Sequence, residues 1–251
     1  FDSVDITTNV TSIGESAFFD CTTMTSITIA DSVVSIGDHC FSGCLHLLEI
    51  KLPTSLSSVG PYAFDHCTDL ERVDMKVNQL RSIPSYCFLS CSSLKNIILP
   101  DKLETLEDNC FSDCKNLVSI TIPPNVKTIG EYCFTKSEGI TSVDVPKSVS
   151  RIGGNCFNEC LSLSEIELPG ALSNISDYCF HNCDSLSSIT IPSTVTRLGK
   201  NCFNGCTSLG EIWVSNDSEK NAIFKKGRLV APTTISYIGD YCFFKCCLLE
   251  S

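Results

Sequence analysis

A unit of 23 residues is written ten times along this 251-residue chain, and it limits what the chain can fold into more than any other feature. It reads V-x-x-I-G-x-x-C-F-x-x-C-x-x-L-x-x-I-x-I-P. The first positions are Val10, Val33, Leu56, Leu80, Leu103, Val126, Val149, Leu172, Val195 and Ile235. The step is 23 residues except for 24 before Leu80 and 40 before Ile235. Such a period predicts a solenoid, because one unit this short cannot enclose a core alone and must stack on its neighbours. A solenoid presents a surface rather than an enclosed pocket, so binding is expected before chemistry.

The columns of the repeat give the local structure. Phe recurs at Phe18, Phe41, Phe64, Phe88, Phe111, Phe134, Phe157, Phe180, Phe203 and Phe243. One ring per coil, stacked on the next, predicts a continuous core. The I-x-I-P segment is a short alternating strand. In Ser188-Ile189-Thr190-Ile191 the Ile side chains point in and the polar ones out. Pro lacks the N–H a ladder needs, so Pro53, Pro100, Pro123, Pro146, Pro169 and Pro192 should end the pairing. Strands of successive coils should pair in parallel at about 4.8 Å spacing. The D-Y-C-F-x-x-C stretch on the other side reads as a short helical turn with Cys179, Phe180 and Cys183 on its inner face. The Gly column before it (Gly14, Gly37, Gly60, Gly130, Gly153, Gly199, Gly239) marks a bend. Pro84, Glu107 and Ser176 interrupt it, so the bend does not demand positive φ.

The stretches from Ser176 to Pro192 and from Gly199 to Val214 resemble the BspA-like, or Treponema pallidum-type, leucine-rich repeat, and the likeness runs along nearly the whole chain. Cys before the Phe, where bacterial members usually carry Ala, resembles the Cys-rich sets of parasitic protists such as Trichomonas and Entamoeba. The resemblance implies a right-handed leucine-rich-repeat superhelix, with a parallel sheet on one face and short helical turns on the other. It also implies adhesion at a cell surface, or host-protein binding, in some members.

The unbroken period makes residues 1–251 one solenoid with an insert at 216–232. Phe1 to Ile6 and Leu249 to Ser251 match parts of a unit, so both ends fall inside a repeat without a polar cap. Uncapped repeats invite end-to-end contacts. A net charge of −11 lacks the basic stripe that nucleic acid requires. No run of 18 apolar residues is present to span a bilayer.

Seventeen of the eighteen cysteines fall in two columns, one before the Phe and one three residues after it. Ala17 and Ala63 replace Cys in the first column and Ser137 in the second. Stacked coils bring like positions within disulfide range, yet the replacements fall singly, which breaks pairing. The C-x-x-x-C spacing of Cys40/Cys44 or Cys179/Cys183 is not that of a structural zinc site. A small buried side chain, for which Cys and Ala are near equivalents, accounts for the substitutions best. Free thiols would favour a reducing compartment, which pulls against the surface location implied by the resemblance. The second functional reading is therefore an intracellular scaffold within a larger assembly.

No catalytic motif is present, and no cofactor is expected. Glu165 and Glu167 share one outward strand face, where a solvated pair is the simpler reading than acid–base work. The outward strand columns are mostly small and polar, with departures at Ile98, Glu211 and Trp213. Trp213 is the one Trp in the chain. It is either an exposed anchor for a partner or a ring covered by the loop that follows. That loop reads as a β-hairpin around Lys225-Lys226-Gly227, with Lys225, Lys226 and Arg228 forming a basic spot on an acidic protein. The expected contact residues for a protein partner are thus Trp213, Glu211, Ile98, Glu165, Glu167, Lys225, Lys226 and Arg228.

Overall fold

The structure, a computed structural model, describes residues 2–77, 79–216, 219–222, 224–225, 228–229 and 234–249. Among these the chain is a parallel-strand solenoid with almost no helix. One line of strands carries the I-x-I segments. It runs from Ser3–Ile6 through Ser26–Ile29, Glu49–Lys51 and Ser142–Asp144 to Ser188–Pro192 and Glu211–Asn216. Its register advances by one repeat per strand: Ser3 faces Ser26, Glu49 faces Arg72, and Ser188 faces Glu211. A second line of two-residue strands, absent from the sequence reading, carries the x-I of each V-x-x-I. Ser12–Ile13, Thr105–Leu106 and Arg197–Leu198 belong to it. Each coil therefore has two strand edges, and the interior between them holds the Ile, Leu, Val, Phe and Cys columns.

The Phe column is a stack. Successive rings from Phe18 to Phe243 lie 5.2–5.7 Å apart with interplanar angles of 1–8°. The eight central rings, Phe41 to Phe203, are fully buried.

The expected helical turn is corrected. Each such segment is a run of tight turns with two left-handed residues four apart, as in Tyr178 (φ 57°) and Asn182 (φ 56°). Its amides alternate in destination. Cys179, His181 and Cys183 donate within the coil to Ser176, Tyr178 and Phe180 carbonyls. Tyr178, Phe180 and Asn182 donate to Lys200, Cys202 and Asn204 of the next coil at 2.8 Å. A helix would direct its amides to carbonyls four residues back along the same segment, whereas alternation satisfies half of them within the coil and ties the coils together with the other half. The inward face of Cys179, Phe180 and Cys183 is common to both geometries, which is why spacing alone suggested a helix.

All eighteen cysteines are free thiols, sixteen of them buried, with Cys21 half-buried and Cys247 exposed. The second column does more than fill space. Cys44, Cys67, Cys91, Cys114, Cys160, Cys183, Cys206 and Cys246 each donate Sγ–H to the carbonyl of the Phe one coil earlier, at 3.0–3.2 Å. Ser137 makes the same bond, its Oγ lying 2.8 Å from the Phe111 carbonyl. The lone Ser is thus a substitution that keeps the donor.

The Gly column is explained by close approach rather than by dihedral freedom. A Cβ at Gly199 would sit 2.5 Å from Asp177 N of the preceding coil, and Gly37, Gly60, Gly130, Gly153 and Gly239 are equally enclosed. Where Glu107 interrupts the column, its carboxylate accepts from Ser85 N and Oγ. Where Ser176 does, its hydroxyl donates to the Ile152 carbonyl at 2.7 Å. Gly14 has nothing within 4 Å of such a Cβ. Gly199→Ala is therefore expected to lower stability by about 1–3 kcal/mol, the cost of overpacking. Gly14→Ala should stay within about 0.5 kcal/mol of the parent. Urea midpoints of the two variants check this, and equal midpoints would remove the explanation.

Candidate functional site

The strand face is flat, polar and outward by the alternation of the I-x-I segments. In Glu49–Lys51 the Ile is buried and its neighbours are exposed. Charge on this face is unevenly distributed. Toward the first coils it is compensated: Arg72 Nη2 lies 3.8 Å from Glu49 Oε2, and Lys51 faces Asp74 in register. The Arg72–Glu49 pair is solvent-exposed and contributes little to stability. Farther along, Asp144, Glu165 and Glu167 are exposed, with no ion-pair partner among the described residues. They line an open groove of about 530 Å³ whose floor and walls include Ser142, Thr190 and Ser215.

The strand Glu211–Asn216 closes this end of the face. Ile212 and Val214 are buried in the core, and Trp213 between them is half-buried on the outer side. Trp213 pairs with Thr190 on one side and with Ala222 on the other. The second pairing is antiparallel. Residues Glu219–Ala222 of the insert lie along Glu211–Asn216 and extend the sheet, an arrangement the repeat pattern did not signal. Beyond it, Phe224–Lys225 pairs antiparallel with Arg228–Leu229, placing Lys225 opposite Arg228. Lys226 lies outside the described residues.

The expected contact residues are thus brought together only in part. Glu165 and Glu167 line the groove, with Asp144 beside them, a residue the sequence reading did not single out. Its signal was available, since it occupies the same outward column as Glu167. Trp213 and Glu211 share the strand Glu211–Asn216, two strands beyond the one that carries Glu165. Ile98 is 45 % exposed but lies five strands from Trp213, about 24 Å at strand spacing. It shares the face, not the groove.

Among the described residues no group of three or more His, Cys, Asp or Glu is placed to hold a metal. Nor is any helix there long and apolar enough to cross a membrane. The buried thiols are poor nucleophiles, because burial pushes the Cys40 and Cys44 thiols up to about 12 and others well above their ordinary value.

Comparison with known proteins adds the family. No curated protein matches the chain. Among solved structures, a leucine-rich repeat protein from Bacteroides ovatus ATCC 8483 is similar at 24 % identity and a TM-score of 0.62. The alignment covers 98 % of this chain and 77 % of that one. A leucine-rich repeat protein from Eubacterium ventriosum ATCC 27560 aligns at 19 % identity and a TM-score of 0.50, over 97 % of this chain and 82 % of that one. At these identities the likeness establishes the fold. The profile of the BspA type leucine rich repeat region matches in six copies over residues 1–118 and 81–210. Leucine-rich repeats of this kind are typically protein-interaction modules, and no enzymatic or nucleic-acid-binding family is indicated. With that profile matching most of its length, the chain belongs to the BspA-type leucine-rich-repeat family.

Proposed function

We propose that the chain is a non-enzymatic docking module that holds a protein partner across its strand face, in the service of surface adhesion or host-protein interaction. The observation that carries this reading is the groove lined by Asp144, Glu165 and Glu167, three exposed carboxylates without ion-pair partners among the described residues. A partner segment bearing Lys or Arg complements it. Charge complementarity of this kind speeds encounter and fixes register more than it adds affinity. Trp213 at the border supplies an aromatic contact of the type that dominates protein interfaces. The insert strand Glu219–Ala222 extends the same sheet, and the sequence that follows supplies Lys225, Lys226 and Arg228 for acidic groups at the partner's edge.

The test is binding of the partner by the Glu165→Lys/Glu167→Lys variant and by Trp213→Ala. Charge reversal is expected to weaken binding at least about tenfold at low salt, with the difference shrinking as salt rises. A partner held equally by all three proteins would place the contact elsewhere. Antibody labelling of intact cells checks the surface role, and label appearing only after permeabilisation would contradict it.

A further inference from the structure

The turn segments carry a second regular pattern on a different face. The first left-handed position of each coil reads Ser16, His39, Tyr62, Tyr86, Asn109, Tyr132, Asn155, Tyr178, Asn201 and Tyr241. From Tyr86 onward Tyr and Asn alternate without exception, at φ between 54° and 61°. Asn is an ordinary occupant of left-handed backbone, whereas an aromatic residue gains nothing from it. The backbone thus explains the Asn residues and leaves the Tyr residues to be explained by their side chains.

The two halves of the column differ in what their rings do. His39, Tyr62 and Tyr86 stack on one another at 4.5 Å, so their faces cover each other. Tyr132 has no ring neighbour among the described residues, and Tyr178 meets only the edge of His181 at 5.6 Å. Tyr132 is 40 % and Tyr241 65 % exposed, and Tyr178 is half-buried. Two coils separate Tyr132 from Tyr178, a spacing of about 10 Å at the strand repeat. Between and beside them lie the half-buried amides Asn155, Asn158 and Asn204, while Asn201 is buried. Asn158 Oδ1 meets His181 Nδ1 at 2.9 Å, and Asn204 Nδ2 donates to Asn201 Oδ1 at 2.6 Å. Burial holds the His181 imidazole below its ordinary value, so this ring is neutral at neutral pH. Exposed carboxylates, Glu131 and Asp177, stand one residue before Tyr132 and Tyr178.

We infer that this stripe binds a neutral β-1,4-linked polysaccharide, with Tyr132 and Tyr178 contacting alternate sugar rings and the intervening amides hydrogen-bonding their hydroxyls. Pyranose C–H faces pack on aromatic rings. Asn, with both donors and an acceptor, matches a hydroxyl that is also both. In an extended β-1,4 chain like faces recur every disaccharide, about the two-coil spacing of the Tyr residues. The proposal is independent of the protein partner on the strand face, and either can fail alone.

The test is affinity electrophoresis of the 251-residue chain through gels containing hydroxyethylcellulose or soluble chitosan-free chitin oligosaccharide conjugate, with dextran, an α-linked glucan, as the contrast. Retardation by at least one β-1,4 glycan and not by dextran is expected. Tyr132→Ala/Tyr178→Ala should weaken it about tenfold, the equivalent of about 1.4 kcal/mol. Tyr132→Phe/Tyr178→Phe should keep most of it, and the same melting temperature for both double variants excludes misfolding as the cause. The strand-face variant Glu165→Lys/Glu167→Lys should be retarded like the parent. Retardation by neither β-1,4 glycan, equal retardation by dextran, or loss in the strand-face variant instead of the Tyr→Ala variant would each overturn the proposal.

Discussion

Replacing Phe134 with alanine is expected to cost about 3–5 kcal/mol, the range for removing a buried aromatic ring. That is a large share of the roughly 5–15 kcal/mol that holds a domain folded. The ring is fully buried and sits 5.7 Å from Phe111 and 5.5 Å from Phe157, so its loss opens a void in the middle of the stack. In a solenoid each repeat touches only its neighbours, so stability is carried across the interfaces between them. The void therefore weakens two interfaces at once and separates the coils before it from those after it. Guanidinium unfolding followed by far-ultraviolet circular dichroism should show a lower midpoint and a broader, less cooperative transition. Phe18→Ala, at a ring only half-buried in the first coil, should cost distinctly less. Equal losses at the two positions would show that the stack does not act as a continuous core.

That core was legible in the sequence because it repeats. Ten Phe at one position, and the Ile alternation in segments such as Ser188–Pro192, specify a stack and a parallel ladder without reference to any other residue. The turn segments were not legible in the same way. Whether Tyr178 and Asn182 take left-handed backbone depends on where their amides go, and the acceptors at Lys200 and Asn204 belong to the next coil. A pattern inside one unit cannot express a bond between units. The glycines show the same limit. Their spacing suggested a bend, whereas the cause is the Asp177 backbone lying against Gly199 from the coil before.

The candidate contact surface was legible in part for the same reason. Periodicity placed Glu165, Glu167 and Trp213 outward; the two glutamates are exposed, whereas Trp213 is half-buried. It did not reveal that Glu219–Ala222 would add to the sheet beside Trp213, since the insert occurs once and has no column to be read from. Nor did it separate Ile98 from the groove, because membership in a column says nothing about distance along the solenoid axis. The two cysteine columns lie between these cases. Burial was expected from their equivalence to Ala, but the bond from Cys160 Sγ to the Phe134 carbonyl, repeated by Ser137 on Phe111, appears only when coils are stacked.

Those thiols also make the fold sensitive to alkali. Burial is the first cause of raised values at Cys67, Cys87, Cys91, Cys114, Cys133, Cys156, Cys160, Cys179, Cys183, Cys202 and Cys206, all held well above the ordinary thiol range. In the unfolded chain the same groups ionise near about pH 8.5. The unfolded state therefore releases protons first. The stabilising contribution is complete below about pH 8.5 and is withdrawn as pH rises toward the folded-state values. All eleven act in the same direction, so their withdrawal weighs against the roughly 5–15 kcal/mol that holds an ordinary domain folded. Circular dichroism at fixed ionic strength should thus show unfolding as pH rises above the ordinary thiol range of about 8.5. Restoring the pH under reducing conditions should restore the signal. Replacing Cys87, Cys156 and Cys179, in the column that tolerates Ala17 and Ala63, with alanine should move the midpoint to higher pH. A chain that keeps its ellipticity to pH 10 would show that thiolate burial does not govern its alkaline limit.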